Sequence, residues 1–303
     1  MGSLPADRTI ASVQNRPAMK AAAISPLREV RLSGRVSVFS PGGDTPATSY
    51  GTNATVVFGD GAVLVVDPFI APAYAHRLAE LVEARAAGPV TRVVSTHHHT
   101  DHVLGASLFT ARGAAFVAHE AAAARMAAEH ATLIAARRSD PALASLFADA
   151  VPVAPSLLVR AGGARSLDVG GVRVEVRPAG PAHTPGDLLV LLPDLGIVAT
   201  GDVVFHGYHA NLEDGDVAGW KAALAGLLAS DAATFVPGHG APGGREVVEA
   251  QLEWFEAGEA AVARAAREGR GPEAAEAALR ARFPGYLLDA AVSVAVEKLA
   301  RAR

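Results

Sequence analysis

Residues 95 to 102 read STHHHTDH, which puts four of the chain's eleven histidines into six positions and an aspartate just before the last of them. Imidazole nitrogen and carboxylate oxygen are the donors that Zn²⁺, Mn²⁺ and Fe²⁺ share, so this density of ligand atoms points to divalent metal binding. In an extended or turning segment, residues two apart project to the same side. His97 and His99 can therefore serve one centre while Asp101 and His102 turn toward a neighbouring one. Three later stretches carry residues of the same kind: His183 in PAHTPGD, Asp202 in TGD and His239 in PGHG. Two histidines of the cluster with His183 would make a three-nitrogen site, and Asp101, His102 and His239 a mixed one, with Asp202 placed to bridge them.

Two cations held in this way would lower the pKa of a shared water toward neutrality, so that hydroxide could attack a carbonyl or phosphoryl centre without a protein nucleophile. Asp101, beside that water, is a candidate proton shuttle. The sequence offers no competing nucleophile. It has no cysteine, which excludes thiolate catalysis, disulfides and sulfur-ligated metal, and no G-x-S-x-G elbow to seat a catalytic serine. Tyr208, with His206 and His209 in VVFHGYHANL, follows Asp202 closely enough to hang over the second centre. Its hydroxyl is a candidate oxyanion donor, with a wall residue as the alternative. His98 occupies the spacer between ligands and is expected to line the pocket or face solvent. His76, His119 and His130 are expected to be surface or packing residues, and Asp187 a hydrogen-bonding turn residue.

Each of these motifs follows a strand-like run. RVSVFS (35 to 40), ATVVFG (54 to 59), AVLVVD (62 to 67), TRVVS (91 to 95) and AAFVAH form a first set. The hairpin turn GDG joins the second to the third. SLDVG, VRVEVRP, LLVLLP, GIVATG and TFVPGHG form a second set. Helical patterns at 74 to 82, 103 to 111 and 120 to 138 alternate with the first set, as in an α/β layered fold. Strand ends gathered at one sheet edge are where such folds bind ligands. The Pro- and Ala-rich stretch 139 to 164, with the preceding helix, is either an insertion over the site or a surface helix with a loose return. Beyond 245, Val248, Leu252 and Phe255 share one helical face and Leu288, Val292, Val296 and Leu299 another. These faces suit the core or a partner subunit, which leaves room for a homodimer.

The 303 residues carry a net charge of −4 with no basic arm or face, which argues against a nucleic-acid partner. The first twenty residues lack the apolar stretch of a secretory signal, and no run reaches the ~18 apolar residues of a membrane span. The expectation is a soluble, cytoplasmic chain that takes a small-molecule substrate and has no membrane partner.

THHHTDH matches the HxHxDH signature of the metallo-β-lactamase superfamily, and PAHTPGD, TGD and PGHG follow in that family's order over roughly 35 to 245. The resemblance implies a four-layered αββα sandwich at 34–245, flanked by an N-terminal extension at 1–33 and a C-terminal helical segment at 246–303 packed on the core. It carries the ligands of one metal onto His97, His99 and His183, those of the other onto Asp101, His102 and His239, and the bridge onto Asp202. Asp67, at the end of AVLVVD, is expected to brace the metal-binding loop. Two divalent ions are implied, Zn foremost, with Mn or Fe fitting the same donors. The function implied is a dinuclear hydrolase that uses a metal-bound hydroxide to cleave a small ester, lactone, thioester or β-lactam-like bond. The bridging aspartate resembles lactonases and glyoxalase II more than secreted β-lactamases, although the C-terminal helices lack a Lys/Tyr cluster for glutathione. A phosphodiesterase or nuclease, or a mononuclear-iron persulfide dioxygenase-like enzyme, is the alternative.

Overall fold

A computed structural model of the chain describes residues 24–302, so most of the expected N-terminal extension lies outside the described residues. The last part of that extension does not stand apart. Arg28–Arg31 form strand β1, antiparallel to β2 (Val36–Ser40). Strands β3 (Ala54–Phe58) and β4 (Val63–Val66) continue the meander through the expected hairpin. From β4 the connections become helical. Helix α1 (Pro72–Glu83) leads to β5 (Val90–Val94), and α2 (Thr100–Val103) with α3 (Ala106–Ala111) leads to β6 (Ala115–His119). Helix α4 (Glu120–Ser139) leads to β7 (Leu157–Val159). Strands β4 to β7 are parallel, as helical crossovers require, and the seven strands lie in sequence order.

The second sheet has five strands in the order β12-β11-β10-β9-β8. These are β8 (Arg165–Val169), β9 (Val172–Gly180), β10 (Asp187–Leu192), β11 (Ile197–Phe205) and β12 (Thr234–His239). The first four run antiparallel; α5 (Val217–Leu228) makes β12 parallel to β11. Helices α6 (Arg245–Arg267), α7 (Pro272–Arg282) and α8 (Ala291–Arg301) complete the chain.

Alternation along the strands sorts the apolar side chains into three layers. Leu64 and Val66 of β4 face Val174, Val176, Leu188 and Val190 across the space between the sheets. Val63 and Val65 of the same strand face the opposite way, against Tyr74, Leu78, Phe109 and Met126 of the helices. On the outer face of the second sheet, Val203 and Phe235 pack with Trp220, Trp254, Phe255 and Val292. Helix, sheet, sheet and helix thus form the four-layered αββα sandwich.

Three elements differ from the sequence reading. The 139 to 164 connection contains β7, whose three residues are too short a run to show a period. Between the two apolar helical faces read beyond 245, the RGP at 270 to 272 opens a further helix, α7, with Pro272 at its first turn, where a missing N–H costs nothing. Leu288 does not share the stripe of α8: it precedes that helix with φ +59°. The apolar stripe of Val292, Val296 and Leu299 that left room for a homodimer is buried within the chain, in the outer layer with Leu279 and Phe255. Among the described residues, no helix is long and apolar enough to cross a membrane.

Candidate metal centre

The His cluster begins where β5 ends, and its path is fixed by Asp67 at the end of β4. Asp67 accepts the Thr96 amide at 2.7 Å, the Thr96 hydroxyl at 2.8 Å and His102 Nδ1 at 2.9 Å. It does so from a left-handed backbone, φ +55°, a conformation that costs a non-glycine residue on the order of 1 kcal/mol and persists where surrounding contacts over-determine it. Ser95 Oγ adds a bond to the His102 carbonyl at 2.9 Å, so the run closes on itself through α2.

The glycines of TGD and PGHG have steric reasons. Gly201 has φ +52°, and a Cβ there would come within 2.3 Å of Thr96 Oγ1. A Cβ on Gly238 would come within 1.8 Å of Asp202 Oδ1. Both backbones must approach this closely for β11 and β12 to deliver Asp202 and His239 to the loop after β5. His183 arrives from the β9–β10 connection, where Thr184 donates its amide and hydroxyl to Asp187 at 2.9 and 2.7 Å. Asp187 therefore acts as a turn residue, and burial pushes its carboxyl up to about 7.

Two groups of ligand atoms result. His97, His99, His183 and Asp202 form one, and Asp101, His102 and His239 the other, each with its donor atoms within 4.8 Å of one another. Asp202 reaches both: Oδ1 lies 3.2 Å from His102 Nε2, and Oδ2 lies 3.3 Å from His239 Nε2, 3.4 Å from His183 Nε2 and 3.8 Å from His97 Nε2. Asp101 Oδ2 lies 3.3 and 3.5 Å from His102 and His239 Nε2. All but His99 are buried.

The outer nitrogens fix which atom each ring turns inward. His102 Nδ1 donates to Asp67, His183 Nδ1 to the Asn211 carbonyl at 3.0 Å and His239 Nδ1 to the Tyr50 carbonyl at 2.8 Å. Each Nε2 is left with a lone pair facing the centre, the usual way a metal-binding histidine is held. Neutral rings in this arrangement oppose one another: the Nε2 atoms of His102 and His239 are 3.3 Å apart, and His183 Nε2 is 2.9 Å from His99 Nδ1. His97 Nε2 is buried with no hydrogen-bond partner among the described residues. Converging lone pairs, an orphaned nitrogen and two carboxylates are what a divalent cation would satisfy, and the donor set fits one.

Electrostatics divide the two groups. Burial, reinforced by His102, pushes His97 well below its ordinary range, and burial takes His183 down to about 3. Burial also disfavours charge on His102 and His239, but Asp202 and Asp101 outweigh it and raise both. Burial likewise works against ionisation of Asp101 and Asp202, yet the surrounding histidines hold both carboxyls well below the usual carboxylate range.

One residue of the site carries no sequence signal. Asp214, between β11 and α5, accepts His99 Nε2 at 3.1 Å and lies 3.4 Å from His98 Nε2. Arg125 of α4 donates to its other oxygen at 2.8 Å. Only an acidic residue in a loop, in EDGD, marks it in the sequence. His98, Asp214 and His99 form a third acidic and imidazole group, but Arg125 already neutralises the carboxylate and also pairs with Glu129. His98 lines the pocket and is buried, so of its two expected placements the solvent-facing one is not seen. His119 caps α4, accepting the Ala121 amide at 3.1 Å, and His130 Nε2 donates to the His98 carbonyl at 2.7 Å.

Tyr208 departs from its expected place over the second centre. Its hydroxyl donates to the Gly43 carbonyl at 2.9 Å, and its ring lies 5.5 Å from that of His239. The phenolic proton is thus committed to the backbone, and burial pushes the hydroxyl up to about 12. His206 and His209 also turn away: one bonds the Ala241 carbonyl at 2.8 Å and the other accepts Trp254 Nε1 at 3.1 Å.

Above Asp101, Asp202 and His239 lies a cavity of ≈ 380 Å³. Tyr50, the α4 residues Leu133 and Arg137, and Leu288 and Val294 at the C-terminal end line it. Helix α4, the crossover from β6 to β7, therefore walls the site through Glu129, Leu133 and Arg137, whereas the 139 to 164 connection contributes no residue to the cavity lining.

A family model described as the metallo-beta-lactamase superfamily matches residues 47–239. The hydroxyacylglutathione hydrolase of Acidiphilium cryptum (strain JF-5) is 33% identical over 169 residues, covering 55% of this chain and 57% of the relative. The chain thus matches little more than half the length of that relative. Among solved structures, the fold is similar to a metallo-beta-lactamase from Pontibacter korlensis, with TM-score 0.63, 20% identity and coverage of 75% of this chain and 98% of that one. It is also similar to the metallo-beta-lactamase IND-7, with TM-score 0.62, 19% identity and coverage of 76% and 98%.

Proposed function

The chain belongs to the metallo-beta-lactamase superfamily, and from that premise we propose that it is a metal-dependent hydrolase that uses two divalent cations to hydrolyse a small thioester, ester or lactone. The observation that carries this reading is the convergence of the two ligand groups on the shared Asp202, beneath a cavity of small-molecule size. His97, His99 and His183 would hold one cation, Asp101, His102 and His239 the other, with Asp202 between them; Zn²⁺ is the ion whose preferences these donors match best. Bound there, the cations would supply water activation near neutral pH and polarisation of the scissile carbonyl.

The chain's own residues supply the framework. Asp67, Asn211 and Tyr50 fix the inward-facing nitrogens by taking the outer N–H of His102, His183 and His239. Thr52 Oγ1 lies 2.8 Å from Asp101 Oδ2 and orients that carboxylate. Asp101 Oδ2 lies 3.3 and 3.5 Å from the Nε2 atoms of His102 and His239, and on that placement we assign the carboxylate to the metal and to orienting the attacking water. Preference for a thioester draws on the likeness to the Acidiphilium hydroxyacylglutathione hydrolase and is part of the proposal.

The test is metal analysis of protein expressed in metal-replete medium, followed by a turnover panel. Two equivalents of bound metal and hydrolysis of thioesters, esters or lactones are expected. Fewer than one equivalent would remove the dinuclear claim, and turnover of phosphodiesters alone would replace the acyl-transfer reading with a phosphodiesterase.

A further inference from the structure

We propose that Arg137 is a receptor for an anionic group of the substrate, so that the bond cleaved belongs to a small molecule carrying both a carboxylate and an apolar segment. This rests on the hydrolase reading above and names the substrate class for that site.

Three arginines of α4 have different fates. Arg125 is committed to Glu129 and Asp214, and Arg138 bonds the carbonyls of Phe147, Ala148 and Ala150. Arg137 has no carboxylate within ion-pair distance among the described residues. Its one hydrogen bond runs to the Tyr50 hydroxyl at 3.5 Å, the long limit for such a bond. The guanidinium is nevertheless held, because its carbon lies 5.2 Å from the centroid of Phe147 and 5.9 Å from that of Tyr50. Half-buried between two rings, it has lost part of its water and has gained no counter-charge. A planar fork of donors in that condition is matched to a carboxylate.

Arg137 lines the same cavity as Asp101, Asp202 and His239. Leu133 and Val294, also on that cavity, are 40% and 37% exposed, and Leu288 joins them to form an apolar wall. Such a wall gains from covering by an aliphatic segment. Of the acids on the cavity outside the metal centre, Glu129 is already paired with Arg125 and Glu213 is exposed, so neither neutralises Arg137. With a net charge of −4 over the chain, attraction of an anion must be local rather than a general field.

The test uses two thioesters of N-acetylcysteamine with acyl chains of equal length, S-glutaryl with a terminal carboxylate and S-pentanoyl without, on the metal-loaded full chain. Wild type should favour the glutaryl compound. Arg137→Ala should raise its KM by roughly 10- to 100-fold, the range of a charge-assisted hydrogen bond, while kcat and the pentanoyl parameters change little. Arg137→Lys should recover part of the loss. Glutarate binding, measured by calorimetry, should weaken in parallel. It reports on Arg137 even if neither thioester is turned over, a result that would count against the hydrolase reading alone. Equal losses on both substrates would overturn the proposal, leaving Arg137 as a prop for Tyr50, as would glutarate binding that is absent in wild type or unchanged in Arg137→Ala.

Discussion

His99 Nε2 donates to Asp214 Oδ2 at 3.1 Å while its Nδ1 faces His183 Nε2 at 2.9 Å, so this ring turns the opposite nitrogen inward from the other inward-facing histidines. Asp214 is held in turn by Arg125 at 2.8 Å. Each ligand group thus has one carboxylate-backed histidine, His99 through Asp214 and His102 through Asp67. Asp214→Ala should weaken one metal equivalent by roughly 10- to 100-fold and leave the other near its wild-type affinity. Competition with a chromophoric chelator resolves the two. Equal weakening of both equivalents would show that Asp214 stabilises the loop rather than His99. His98→Ala, which removes a ring from the pocket wall but no donor facing the centre, should retain both equivalents.

The opposed shifts of the histidines predict a pH order of metal release. His102 and His239 are raised, so in metal-free protein they keep their protons to higher pH, and a cation at Asp101, His102 and His239 must displace them. Competition is present below the raised pKa values and vanishes above them. Affinity there should fall by about tenfold per pH unit for each proton displaced as pH drops through that range. His97 and His183 are lowered and stay neutral to lower pH, so their cation meets less competition. Acidifying the loaded protein from about pH 8 to about pH 5 should release one equivalent before the other; simultaneous release would contradict the split.

Most of this centre is legible in the sequence because its ligands sit in short motifs at strand ends, where chain direction alone brings them to one edge. The strands were legible for the same reason, their apolar runs being bounded by turn residues. What was not legible depends on contacts across long separations. Asp214 meets His99 over 115 positions and Arg125 over 89, through the packing of α4 against the loop before α5. Tyr208 is the converse case. Its closeness to Asp202 in sequence suggested closeness in space, but after His206 the chain leaves the sheet and Tyr208 pairs with Leu287, aiming its hydroxyl at Gly43.

Gly238→Ala should damage the centre without touching a ligand. The added methyl would sit 1.8 Å from Asp202 Oδ1, and Gly201 and Asp202 backbone atoms crowd the same position at 2.8 and 2.9 Å. Neither can yield without moving the shared carboxylate. Expected outcomes are loss of most activity and reduced occupancy of both metals, read by metal analysis on protein whose far-ultraviolet circular dichroism matches wild type. Full occupancy of both would show that β11 and β12 can separate at low cost.

Tyr208→Phe separates support from catalysis. The hydroxyl lies beneath the loop that presents Tyr50 and Thr52: it donates to Gly43, and a Cβ on Gly51 would meet it at 2.3 Å. Its ring remains against His239 when the oxygen is removed, and the Gly43 carbonyl loses its donor. The cost should be about 1 kcal/mol of stability, seen as a lower midpoint of denaturation, with kcat within a few-fold of wild type. An oxyanion donor behaves in the opposite way, because its bond strengthens only in the transition state, and losing one costs roughly 100- to 1,000-fold in kcat. A fall of that size with an unchanged midpoint would mean that Tyr208 leaves Gly43 during turnover and reaches the substrate.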